Sequence, residues 1–260
     1  MILCLTNISY KNLNFEKFLG KIKDFNIKNI EVAPSLLSKK PFTKKNTKKT
    51  KLLLKKFDIK IRSFQSVFFN AKNDYKHKSN NINYLTNHFE KVVNLASTLN
   101  VKNLSIGSCP SRNDYKNKTF IYDLNLDLFR RFSKIAEKKK ITISLEPVSK
   151  KYGIHFLNNI DEVFNFIKRL KKKNVKILLD TGNCRSEKMD YKKKFRKYKK
   201  FINHIQLSNP QIDHFNIKTI RQELEFFRRI KFKKTLTIEH FSKSISKLKF
   251  NQKIVEKIIN

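Results

Sequence analysis

The chain has no tryptophan, 4 glycines, 5 prolines, 3 cysteines and only 21 acidic residues among 260. So little glycine and proline excludes a collagenous or low-complexity chain. The cysteines, Cys4, Cys109 and Cys184, are odd in number and far apart. They make no disulfide framework and fit a reducing, cytoplasmic setting. No run approaches the ~20 consecutive apolar residues that a membrane helix needs, so no membrane is expected as a partner. The opening MILCLTNISYKN lacks a charged leader and a long apolar stretch and is read as no secretory signal. Against the few acids stand 59 Lys and Arg, for a net charge of +38. A charge of that size invites a nucleic-acid reading. The lysines, however, are spread over nearly every helix and loop, and Asn and Ile are abundant too, as AT-rich codons would produce. The charge is therefore read as compositional, and nucleic acid is not expected as a partner.

Core material is ample, with 39% hydrophobic residues and 23 Phe. Short apolar or alternating runs recur at 2–9, 29–34, 59–69, 103–109, 141–148, 175–183, 204–210 and 235–241. Each is rich in Ile, Leu and Val and ends in polar or turn-forming residues, as strands do. Between them lie segments with helix-spaced apolar residues. Examples are Phe15, Phe18, Leu19 and Ile22; Phe89, Val92, Val93 and Ala96; and Val163, Phe164, Phe166, Ile167 and Leu170. Asn159 and Asp161 open the last of these as capping residues, with Glu162 in its first turn. The stretch 38–49, SKKPFTKKNTKK, is read as a basic loop. Strand and helix alternating eight times over this length predict an α/β chain, a closed (β/α)8 TIM barrel forming one domain over 1–260.

The barrel reading assigns faces, because successive residues of a strand alternate between the interior and the helical layer. Thr142, Ser144 and Glu146 share one face of the fifth strand; His204, Gln206 and Ser208 share one of the seventh; Thr235, Thr237 and Glu239 share one of the eighth. Asp180 ends the sixth. These four strands each place a metal-capable side chain, Glu146, Asp180, Gln206 and Glu239, near their C-terminal ends, where such barrels carry their active sites. Any one of the acids has an ordinary explanation as a helix cap or a lysine partner. Three carboxylates converging on one opening do not, because like charges at close range destabilise one another unless a cation neutralises them. Oxygen donors suit Mg or Mn, with Zn or Co if an imidazole joins.

The ordered set ISLEP, LLDTG, HIQLS and LTIE, ending the last four strands, resembles the xylose isomerase-like TIM-barrel superfamily of sugar and sugar-phosphate isomerases and epimerases, which also includes endonuclease IV. NISY, IEVAPS, SFQSVFF, GSCPSRN, EPVSKKYGIHF and HIQLSNPQIDH extend the resemblance over essentially the whole chain to a sugar-phosphate isomerase/epimerase branch. It implies one divalent ion held by Glu146, Asp180, Gln206 and Glu239, with Glu146 and Glu239 moving protons through a metal-stabilised enediolate of a small carbohydrate. Two departures stand out. Gln206 replaces the second His of a His-x-His pattern, as in hydroxypyruvate isomerase-like members. DTGNCR carries Asn183, with Cys184 and Arg185 beside it, where many members have a His. His204 is read mainly as a hydrogen bonder of the barrel interior. Glu31 is read equally as a substrate contact and as a lysine partner, and Gln65 faces the opening if Ser63 does. Arg112, Lys151, His155 and His214 complete the candidate substrate contacts, with Arg112 and Lys151 able to bind phosphate or carboxylate. The competing readings are an endonuclease IV-like repair enzyme and a barrel that binds without catalysing. Nothing in the helices excludes a homo-oligomer.

Overall fold

The computed structural model describes residues 1–69, 82–112, 118–210 and 217–240. All eight apolar runs coincide with a strand, the seventh beginning two residues before its run: β1 Ile2–Thr6, β2 Asn29–Val32, β3 Lys60–Phe64, β4 Asn103–Ile106, β5 Thr142–Leu145, β6 Val175–Asp180, β7 Ile202–Leu207 and β8 Thr235–Ile238. They pair in parallel and in sequence order into a closed barrel, with β1 against β8 from Ile2↔Thr235 to Leu5↔Ile238. The strands stop earlier than the runs suggest. Asn7–Tyr10 turns into 3-10 helix, and Thr181 already begins an α-helix. Those residues are buried, but in helical turns and not in the ladder.

Eight α-helices are present among the described residues: α1 Phe15–Asp24, α2 Lys44–Phe57, α3 Ile82–Thr98, α4 Lys118–Glu137, α5 Ile160–Leu170, α6 Thr181–Ser186, α7 Tyr191–Tyr198 and α8 Ile217–Arg229. Among the described residues, no helix is long and apolar enough to cross a membrane. The helix-spaced residues of α1, α3 and α5 face the barrel and are buried, except Phe164, which is half-buried and packs on Tyr198 and Phe201 instead. Stacked and edge-on rings, such as Phe89 on Phe132 at 4.2 Å and Phe129 on Phe166 at 5.5 Å, fill the layer between helices and sheet. The stretch 38–49 is a loop only in its first half. Thr43 caps α2 by accepting from the Asn46 amide, so Lys44–Lys49 are helical, with the lysines in solvent and Thr50 and Leu54 turned inward. The lysine run hid a helix whose narrow apolar stripe begins only at its second turn.

Asn159 caps α5 as the sequence indicates, accepting from the amides of Asp161 and Glu162 at 3.1 Å each. Asn159→Ala is expected to lower stability by about 1 kcal/mol. Urea unfolding would show this as a lower midpoint at unchanged slope; an unchanged midpoint would mean that the cap contributes nothing.

Candidate active site

The inward faces of the strands are polar, and they interlock. Low in the barrel, Asn103 donates to Ser63 at 2.8 Å, Ser144 donates to Asn103 at 2.6 Å, and Asn203 donates to the same Asn103 oxygen at 2.9 Å. One level up, Ser105 donates to Glu31 at 2.8 Å, and His204 Nε2 lies 3.2 Å from the other Glu31 oxygen and 3.2 Å from the Thr237 hydroxyl. The Gln206 amide nitrogen donates to both Glu31, at 3.0 Å, and Gln65, at 2.7 Å. Burial works to raise the Glu31 carboxyl, but the charge and hydrogen bond of His204, with the hydrogen bonds from Gln206 and Ser63, outweigh it and hold the group at about 2. Glu31 is thus an interior acceptor, fully buried. Neither it nor His204 lines the cavity above.

That cavity, of about 640 Å³, opens at the C-terminal rim of the barrel. Glu146, Asp180 and Glu239 line it, with Gln65 and Asn183, against apolar walls that include Ile8, Phe68 and Val148. Glu146 and Glu239 each stand one residue past their strand. Backbone bonds to the neighbouring strand extend the ladder to them: Glu146 N to Ile106 O and Glu239 N to Leu207 O, both 2.9 Å. Gly107 makes the room for Glu146, since a methyl group there would overlap the carboxylate. Asp180 caps α6 and is tied down by the amides of Gly182, at 2.6 Å, and Asn183, at 3.2 Å, and by the Ser208 hydroxyl, at 2.5 Å.

Electrostatically, the three acids work against one another. Burial, then the charges of Asp180 and Glu31, raise Glu146 to about 8, opposed by Arg112. Burial is also the main cause raising Asp180, against the hydrogen bonds it accepts, and it raises Glu239 well above the usual range, with Glu146 and Asp180 next. Such a site favours whatever brings positive charge into it. Two buried amide oxygens have no hydrogen-bond partner among the described residues, Gln206 Oε1 and Asn183 Oδ1. Among the same residues, no group of three or more His, Cys, Asp and Glu side chains is arranged to hold a metal ion. The lining itself supplies three carboxylates; Gln206 does not line the cavity, but it is in register with Asp180 on the neighbouring strand.

Other candidates lie elsewhere. Arg112 does not reach the cavity. It is fully buried, and its guanidinium donates to the carbonyls of Phe156 at 3.0 Å, Glu146 at 3.1 Å, Leu157 at 2.7 Å and Gly107. It braces the walls, spending four of its five N–H donors on backbone carbonyls. Lys151 and His155 are solvent-exposed and do not line the cavity; in a loop this basic, their place in a motif was no guide to where they point. His214 lies outside the described residues. The sequence reading missed the support behind Asp180. Arg185 pairs with Glu223 and donates to the Ser208 carbonyl, while Thr181 donates to Glu223 at 2.9 Å. Burial raises Glu223 to about 7 despite Arg185. The signal was there in the apolar face of α8, interrupted by an acid. The cavity-lining Cys109 and neighbouring Cys184 carry thiols pushed up by burial, Cys184 to about 12, which suits packing and not nucleophilic attack.

A family model described as "Xylose isomerase-like TIM barrel" matches residues 19–256. No curated protein matches the chain. Among solved structures, the fold is similar to that of the 3-keto-D-glucoside 4-epimerase YcjR from E. coli, with a TM-score of 0.79 at 13% identity, covering 100% of this chain and 99% of that one. It is also similar to the D-psicose 3-epimerase of Clostridium cellulolyticum H10 bound to D-tagatose, with a TM-score of 0.72 at 16% identity over 99% and 95% of the two chains. The IolI protein with a bound zinc atom superposes with a TM-score of 0.74 at 17% identity over 100% and 96%.

Proposed function

The chain belongs to the xylose isomerase-like TIM barrel family, and on that basis we propose that it is a divalent-metal-dependent isomerase or epimerase of a sugar, sugar phosphate or related hydroxy-carbonyl compound. The observation that carries this reading is the convergence of Glu146, Asp180 and Glu239 on one cavity at the C-terminal rim. A binding scaffold gains nothing from three mutually repelling acids, two of them buried and Glu146 half-buried. An endonuclease IV-like chemistry requires several histidines at the rim, and no histidine lines the cavity among the described residues. The ligands named in the structures of similar fold, and the zinc of one of them, are consistent with a carbohydrate and a metal.

The residues present suit a cation in their chemistry. Glu146, Asp180 and Glu239 supply hard oxygen donors, and the unpartnered oxygen of Gln206 supplies a fourth. Bound there, a divalent ion such as Mn, Mg, Co or Zn would polarise the substrate carbonyl and stabilise the enediolate that forms on loss of the neighbouring C–H proton. Asp180, held by two amides and a hydroxyl, is the fixed ligand. Glu146 and Glu239 are the proton carriers: one takes the proton from carbon, and a carboxyl returns one. Return to the same carbon from the opposite side gives an epimer. Return to the adjacent carbon interconverts aldose and ketose. The apolar wall at Ile8, Phe68 and Val148 would limit water around the reacting carbon.

Two measurements test this. Protein reconstituted with Mn and dialysed is expected to retain about one ion per chain. A panel of free and phosphorylated ketoses incubated in D2O with the Mn-loaded protein is expected to gain deuterium at the carbon beside the carbonyl in at least one member. A protein that retains no divalent ion and labels no sugar overturns the proposal.

A further inference from the structure

Gln206 sits in the middle of the polar interior, nearly fully buried, and its two terminal atoms have opposite fates. The nitrogen is engaged twice, by a Glu31 oxygen at 3.0 Å and by Gln65 Oε1 at 2.7 Å. The oxygen has no partner among the described residues. A buried, unpaired amide oxygen costs stability unless something outside the protein pairs with it. The Glu31 contact selects this orientation, and the Gln65 contact adds to it. A carboxylate offers only acceptors, so it selects the nitrogen. Gln65 follows from it: its oxygen accepts from the Gln206 nitrogen, and its own nitrogen donates to the Thr6 hydroxyl. Rotating the Gln206 amide by half a turn would set its oxygen against two acceptors and forfeit both bonds. Glu31 is anchored in turn by Ser105 at 2.8 Å and lies beside His204 at 3.2 Å. Across the ladder, Gln206 is in register with Asp180, one of the three acids at the cavity.

We propose that Glu31 and Gln65 are positioning residues that lock the amide of Gln206 with its nitrogen inward, so that its oxygen is kept as a cation ligand beside Asp180. The inference rests on the metal-dependent reading above, and it turns two expected substrate contacts into a device for aiming a ligand. It explains how an amide can stand where an imidazole is usual. An imidazole presents one nitrogen lone pair by its tautomer, whereas a primary amide has a donor end and an acceptor end of nearly the same shape, and only its neighbours decide between them.

The test is Mn2+ affinity, read by calorimetry on the full chain well below its melting temperature. Gln65→Leu removes one of the two acceptors, and Gln65→Glu keeps an oxygen facing the Gln206 nitrogen. Losing a partner that orients a ligand typically weakens metal binding about 10- to 100-fold. Gln65→Leu is therefore expected to bind Mn2+ at least about tenfold more weakly than the wild type, and Gln65→Glu at wild-type affinity or better. Glu31→Leu is expected to lose the most affinity, and if it does not fold, the Gln65 pair decides alone. Wild-type affinity in Gln65→Leu, or equal losses in the Leu and Glu variants, overturns the inference while leaving the metal site standing. A wild-type protein that binds no Mn2+ removes the metal-dependent reading itself, and this inference with it.

Discussion

Glu239→Gln is expected to stop solvent deuterium from entering the substrate while the barrel stays folded. The carboxylate sits one residue past β8, held to β7 by the bond from its own amide to the Leu207 carbonyl, and the side chain is only 6% exposed. Gln has nearly the same volume, so packing is preserved. What disappears is the ability to carry a proton. A positioned acid or base typically contributes about 10²- to 10⁴-fold in rate, and a loss of that size is expected in exchange measured at saturating Mn2+. Saturation matters because Glu239 is also a proposed ligand, and the variant loses affinity as well. The folded state loses no stability. Glu239 is raised well above the usual carboxylate range, first by burial and then by Glu146 and Asp180, so the folded protein already favours its neutral form, which an amide imitates. Exchange at the wild-type rate, with Mn2+ bound, would take proton transfer away from this residue.

The second large effect concerns Arg112, where the expected outcome is loss of fold stability. Its guanidinium joins four backbone carbonyls, from the residue after β4, the residue after β5 and two residues of the segment leading into α5. Burial lowers its pKa only to about 10, opposed by Cys109 and Glu146, so it carries its charge at neutral pH. Arg112→Leu would fill much of the volume and leave the carbonyls without donors in a dry interior. Each orphaned acceptor costs about 1–3 kcal/mol, so even partial rescue by water leaves a loss on the order of 4 kcal/mol. Urea unfolding should show the midpoint fall steeply. Arg112→Lys, which keeps the charge but reaches fewer carbonyls, should fall between the two. A Leu variant within about 1 kcal/mol of the wild type would mean that water already serves these carbonyls. Because one of the four is the carbonyl of Glu146 itself, the residue fixes the wall from which a proposed proton carrier projects.

Much of this was legible before any coordinates. A two-residue period separates an apolar outer face from a polar inner one, and it placed Ser144, His204, Gln206 and Thr237 on the inner side, where their hydrogen bonds now show them. The same parity applied to NLSI of β4 would have found Asn103 and Ser105. Reading failed where side-chain direction is not periodic. Arg112, Lys151 and His155 all sit in rim segments of similar composition, yet one is wholly buried and the other two are in solvent. The lysines of α2 disguised a helix as a loop, because a helix end is decided by one cap and not by the average of its residues.

By itself, the order of apolar and polar residues determined that eight strands form, that they run parallel, and which side chains of the fifth, seventh and eighth carry the polar inner face, since strand period and crossover length are local properties of a chain. Only the tertiary structure decided that Gln206 spends its nitrogen and keeps its oxygen, that Glu31 serves the interior and not the cavity, and that Arg112 braces the site from behind. Those outcomes depend on which groups from distant strands come within hydrogen-bonding distance, where a difference of one ångström separates a partner from a bystander.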